Sequence, residues 1–144
     1  MDEWVNVAKG SKKGHIYGRN TNPTVKILER KIAVLEKAES ATAFSSGMAA
    51  ISNTLFALLK PKDRVIVGKD TYGGTSKIFM DYLPKFDIDV QFCDTTNTEE
   101  FKDEINKKCS LLYLETPTNP TLKLQNIQKL SIIAKKSQSL VVVD

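Results

Sequence analysis

Leu111-Leu112-Tyr113-Leu114-Glu115-Thr116-Pro117-Thr118-Asn119-Pro120 opens as an unbroken apolar run and turns abruptly polar. Four large side chains in a row without polar alternation mark a strand buried on both faces, the kind found in parallel sheets beneath helices. Two prolines rule out a helix beyond Leu114 and predict an extended loop at the strand's carboxyl end. The same succession recurs on either side. Downstream, a helix is expected from about Leu124 to Lys136, with Ile127, Leu130, Ile133 and Ala134 apolar, and then the strand Leu140-Val141-Val142-Val143, ending on Asp144. Upstream, Thr98 to Lys107 reads as an amphipathic helix with Thr98 as cap and Glu99 and Glu100 in its first turn.

Ile88 to Cys93 is the preceding strand, and before it a helix is expected to run to about Leu83 and stop at Pro84. Arg64 to Val67 is a short β-branched strand closed by Gly68, followed by the polar loop Asp70-Thr71-Tyr72-Gly73-Gly74-Thr75. Further upstream, Ala41-Thr42-Ala43-Phe44 is expected as a strand and Met48 to Lys60 as a helix, joined by Ser45-Ser46-Gly47. A strand that opens a helix through Ser-Ser-Gly presents backbone N–H groups, hydroxyls and a positive dipole end to one point, as a phosphate cradle does. The same turn serves equally as a plain helix cap. Asn22 caps a helix with Pro23 at its first position, running to about Lys37 with Val25, Leu28, Ile32 and Leu35 as a packing stripe. Residues 1–16 show no periodicity and are expected to be an N-terminal arm, leaving 17–144 as the folded part. Strands alternating with helices give an α/β fold with a mostly parallel, helix-covered sheet.

Composition narrows the function classes. The net charge of +4 comes from lysines dispersed along helix faces, with no basic cluster interleaved with aromatics, so nothing supports nucleic-acid binding. No apolar run approaches membrane-spanning length, and Met1-Asp2-Glu3-Trp4 is too polar to begin a signal peptide. Cys93 and Cys109 lack metal-ligand spacing and are expected as buried thiols, which points to a reducing, cytoplasmic setting. The loops at 45–48, 70–75 and 115–120, together with Asp144, all fall at carboxyl ends of strands, where ligands bind in such sheets. No dinucleotide or P-loop glycine fingerprint follows any strand, which disfavours a nucleotide-binding domain.

Five motifs then carry a resemblance. Tyr17-Gly18-Arg19 with Asn22-Pro23-Thr24, Ser46-Gly47-Met48-Ala49-Ala50, Tyr72-Gly73-Gly74-Thr75, Glu115 to Pro120, and Val142-Val143-Asp144 resemble, in order and spacing, the Cys/Met-metabolism family of pyridoxal phosphate enzymes. The resemblance implies the aspartate-aminotransferase-like, fold type I large domain, of which 17–144 would be the first part. It also implies pyridoxal 5'-phosphate as cofactor, an amino acid substrate, and a homo-oligomer built as a dimer of dimers. The activity implied is γ- or β-elimination or replacement on cystathionine or a homoserine ester. Tyr-Gly-Gly-Thr at 72–75 resembles the cystathionine γ-synthase and γ-lyase branch, since methionine γ-lyases tend to carry Cys at the position of Gly74.

Roles follow by resemblance, residue by residue. Tyr17 and Arg19 match a pair that grips the cofactor phosphate of the neighbouring protomer, and Gly18 replaces the family's usual Ser. Ser46, Gly47 and Met48 match the phosphate cradle. Tyr72 matches the aromatic over the ring and a proton carrier, and Asn119 the side chain near the cofactor's phenolic oxygen. Glu115 matches a neighbouring position with a structural role. Asp144 matches the carboxylate paired with the ring nitrogen. The family's Schiff-base lysine lies a few tens of residues beyond Asp144, so residues 1–144 are expected to need the remainder of the enzyme, on the same or another chain. The alternative is a non-catalytic cofactor-binding or assembly fragment.

Overall fold

The computed structural model describes residues 2–144, so Met1 of the expected arm lies outside the described residues. The chain divides into two compact units, one ending at Ser46 and one spanning Gly47–Asp144.

In the first unit the expected arm contains a helix, α1 (Asp2–Ala8). Glu3 near its start suits the helix dipole and pairs with Lys12 in the segment that follows. Helix α2 (Pro23–Leu35) begins as expected, with the Asn22 side chain accepting from the N–H groups of Thr24 and Val25. Its stripe does not pack as expected: Ala33 is the buried residue of α2, whereas Leu28 and Leu35 are 52% and 75% exposed. Ala41–Phe44 forms no strand, and Phe44 is exposed. A short run needs a neighbouring strand to complete its backbone hydrogen bonds. Here the Ala43 N–H instead donates to Glu29 Oε1 at 3.0 Å.

The second unit holds a four-stranded sheet of β1 (Arg64–Gly68), β2 (Asp89–Cys93), β3 (Leu111–Leu114) and β4 (Leu140–Val143). The order is β2-β1-β3-β4, every pair is parallel, and Tyr113 lies between Val67 and Val142 in the register. Side-chain alternation splits the core in two. Val65, Val67, Leu111 and Tyr113 face Leu55 of α3 (Gly47–Leu58) and Ile78, Phe79 and Leu83, which follow α4 (Gly73–Lys77). Ile66, Leu112 and Leu114 face Phe101 and Ile105 of α5 (Thr98–Lys107) and Leu130 and Ala134 of α6 (Ile127–Lys136). Each fully buried large aliphatic or aromatic side chain contributes roughly 1.5–3 kcal/mol, so the sheet is held from both faces. At its amino end Arg64 pairs with Glu104 at 2.6 Å and donates to the Lys108 carbonyl at 2.9 Å, fastening the end of α5 to β1.

Four local expectations are corrected. Pro84 does not stop the chain's helical course: α4 passes through a π turn (Ile78–Tyr82) into a 3₁₀ segment (Leu83–Phe86). Pro84 lies in the first turn of that segment, where a missing N–H is tolerated. The cap of α5 is Asn97, whose side chain accepts from the Glu100 N–H, so Thr98 is already helical. Helix α6 starts at Ile127 because Asn126 caps it. The loop after β3 is also folded back rather than extended: the Leu122 N–H donates to the Thr118 carbonyl and the Thr118 N–H to the Lys123 carbonyl. The peptide bonds preceding Pro117 and Pro120 are cis.

Candidate functional site

From β1 the chain goes to β2 on one side, then crosses back to β3 on the other. Strands that leave in opposite directions open a crevice between their carboxyl ends. Tyr72 stands in the loop after β1, Glu115 directly after β3 and Asp144 directly after β4. A pocket of about 520 Å³ lies there, lined by Tyr72, Glu115, Asn119 and Asp144 and closed along one side by Gly47, Met48 and Ile51 of α3.

Glu115 holds the pocket's walls together. Its carboxylate, 5% exposed, accepts from the Tyr72 N–H through Oε2 and from the Asn119 N–H through Oε1, both at 2.8 Å. Its own N–H donates to Gln125 Oε1 at 3.0 Å. One buried side chain thus fastens the loop after β1 to the loop after β3. A second bridge spans the same two loops: Lys123 Nζ reaches Asp70 Oδ2 at 2.8 Å, and the Asp70 N–H donates to Thr95 Oγ1. The Lys123 and Thr95 contacts hold the Asp70 carboxyl below its ordinary value.

Asp144 is exposed, and its N–H donates to the Leu114 carbonyl at 2.8 Å. Its Oδ2 accepts from the Tyr113 hydroxyl at 2.8 Å. Tyr113 has no exposed surface, and its ring meets Phe79 edge to face at 5.0 Å. Burial, then the Asp144 carboxylate, push the phenol's pKa well above its usual range, so it stays a neutral donor. Tyr72 is half-exposed at the start of α4. Gly74 lets it close on Met48: a Cβ there would lie 2.9 Å from both Met48 Sδ and Tyr72 Cε1.

The structure therefore brings together Gly47, Met48, Tyr72, Asn119 and Asp144 of the expected set. Tyr17, Arg19 and Ser46 belong to the first unit, where the Arg19 guanidinium stacks 5.1 Å from the centre of the half-exposed Tyr17 ring. Sequence reasoning missed Tyr113, Gln125 and the Asp70–Lys123 pair. A polar tip inside an otherwise aliphatic strand was the signal available for Tyr113.

The family model for "Cys/Met metabolism PLP-dependent enzyme" matches residues 2–144. The chain belongs to that family. An L-methionine gamma-lyase of Fusobacterium nucleatum subsp. polymorphum is 46% identical over 132 residues, covering 91% of this chain and 33% of that enzyme. A cystathionine gamma-lyase of Bacillus subtilis (strain 168) is 39% identical over 135 residues, 94% of this chain and 35% of that one. The crystal structure of cystathionine gamma synthase from Xanthomonas oryzae pv. oryzae in complex with cystathionine superposes with a TM-score of 0.88 at 33% identity, over 94% of this chain and 35% of that one. The chain thus spans about a third of the length of the relatives it matches. The fold is that of the cystathionine synthase and lyase enzymes.

The pocket of this PLP-family chain fits the cofactor of its relatives. An anion suits the amino-terminal end of α3, where a Cβ on Gly47 would meet no atom within 4 Å and bare backbone leaves room for a ligand. Tyr72 offers an aromatic face, Asn119 an amide and Asp144 a carboxylate for a ring N–H.

Proposed function

We propose that this chain supplies the phosphate, ring and ring-nitrogen contacts of a pyridoxal-phosphate-dependent enzyme of sulfur amino acid metabolism. Its reaction is elimination or replacement of a γ- or β-substituent on cystathionine or a homoserine ester. The carrying observation is the convergence of Gly47, Met48, Tyr72, Asn119 and Asp144 on one pocket, with Glu115 fastening two of its walls.

Pyridoxal phosphate, when bound, supplies a ring that takes up the negative charge developing at the substrate's α-carbon. The rest is assigned to this chain's own side chains. Asp144 keeps a proton on the ring nitrogen, so the ring remains cationic. The amino-terminal end of α3, with Gly47 and Met48, neutralises the phosphate, and Ser46 adds a hydroxyl. Tyr72 covers the ring, excludes water from one face and carries a proton through its hydroxyl. Asn119 orients the ring's phenolic oxygen or the substrate carboxylate. Tyr17 and Arg19 reach the phosphate of a neighbouring protomer in a dimer of dimers, where a guanidinium fork suits a dianion. The order of motifs supports residues 17–144 as the first part of the cofactor-binding large domain. Two buried, unpaired thiols, Cys93 and Cys109, support a reducing, cytoplasmic setting. The glycine at 74 supports the γ-synthase and γ-lyase branch.

Titration of the intact protein with pyridoxal 5'-phosphate is expected to give a saturable visible absorption band, and borohydride reduction a pyridoxyl adduct in the intact mass. Release of a keto acid or a thiol from cystathionine is expected to follow. A protein that neither takes up the cofactor nor consumes cystathionine or a homoserine ester would overturn the reading.

A further inference from the structure

We infer that Tyr113 is a positioning residue: its buried hydroxyl sets the orientation of the Asp144 carboxylate and turns that group's second oxygen toward the ring nitrogen of the bound cofactor. The inference rests on the cofactor reading above and deepens it. Asp144 is exposed, at the mouth of the pocket, and its backbone is tied to β3 through the Leu114 carbonyl. Backbone pairing fixes where the side chain begins but leaves its two torsions open. Among the described residues, the hydroxyl that reaches this carboxylate is that of Tyr113, at 2.8 Å.

Tyr113 is built to hold a direction. It has no exposed surface, it is in register between Val67 and Val142, and its ring is braced edge-to-face by Phe79. A carboxylate offers acceptors only, so the phenol donates. Bonds of this charge-assisted kind are stronger and shorter than neutral ones. The carboxylate is thereby ordered before a ligand arrives, which removes an entropic penalty from binding. Tyr72 and Glu115 are the other titratable groups lining the pocket, and Glu115 is already engaged with two backbone amides.

The test is Tyr113→Phe in the intact protein, which deletes the hydroxyl and keeps the ring. Two quantities are read: the dissociation constant for pyridoxal 5'-phosphate and the ratio of the visible bands of the bound cofactor. Loss of one hydrogen bond to a charged group is expected to weaken cofactor binding about tenfold, and to change the band ratio. Phe101→Leu serves as the second variant, because it loosens the core on the opposite face of the sheet and leaves Tyr113, its ring contact and its hydroxyl in place. It is expected to lower the unfolding temperature without altering the band ratio. Wild-type affinity and bands in Tyr113→Phe would overturn the inference, as would the same spectral change in Phe101→Leu. Wild-type protein that binds no pyridoxal 5'-phosphate would overturn the functional reading together with this one, so the two failures are distinct.

Discussion

Replacing Glu115 with Gln isolates the carboxylate's role from its volume. The native side chain accepts two backbone N–H groups on two separate oxygens, both at 2.8 Å and nearly out of contact with water. Glutamine has the same shape but one acceptor oxygen, and its NH₂ must then confront either the Tyr72 or the Asn119 amide. A hydrogen bond to a charged acceptor contributes about 1.5–3 kcal/mol, and a buried donor left without a partner costs about 1–3 kcal/mol. Taking about 2 kcal/mol as the loss in local opening free energy, the affected amide should exchange with solvent roughly thirtyfold faster. Glu115→Ala should accelerate both amides. Hydrogen–deuterium exchange of the intact protein, resolved at residues 72 and 119, reads this directly, and a pyridoxal phosphate titration reads its effect on the site. Native exchange rates at both amides in Glu115→Gln would refute the clamp, whatever happened to activity.

Gly74→Ala should press a methyl group against Met48 and Tyr72, each 2.9 Å from its ideal position, and cost about 1–3 kcal/mol as overpacking. Calorimetry and cofactor titration should show a lower unfolding temperature and weaker binding together. Lys123→Met should lower the urea midpoint at neutral pH, because it breaks the bridge to Asp70. Asp70 is held below its ordinary value of 3.8, so its contribution is complete above that pH and is lost as pH falls through the depressed value. The gap between variant and wild type should therefore close in acid. Lys123 is held above 10.5, so the gap should also close as pH rises past that value. Cys93, with no exposed surface and a thiol pushed up to about 12 by burial, should resist disulfide reagents in the native protein at pH 8 and react on unfolding.

Strands β1 and β3 were legible because a parallel strand buried on both faces has to be apolar, and Val65–Val67 and Leu111–Leu114 are. Strand β4 was legible from the same apolar run, although its end residues Leu140 and Val143 are exposed. The same logic misread Ala41–Phe44. A short apolar run is compatible with a strand but does not create one, and the backbone there found a carboxylate from Glu29 instead of a ladder. The cap at Asn22 was legible because Pro23 marks the first helical position, whereas Asn97 and Thr98 adjoin without such a marker and the cap was misassigned. Pro84 was read by its usual effect on an α-helix, whereas the local geometry had already tightened to 3₁₀. For the site, loop positions and residue identities were visible in the motifs, but side-chain direction was not. That Glu115 looks back at two amides, and that Tyr113 looks outward to Asp144, depends on how strands neighbour one another in space.

Because Glu115 grips main-chain N–H groups, its hold is indifferent to which side chains residues 72 and 119 carry. Shape and chemistry at this mouth are consequently inherited separately. An exchange at either position can alter the lining of the pocket while the scaffold beneath it stays put.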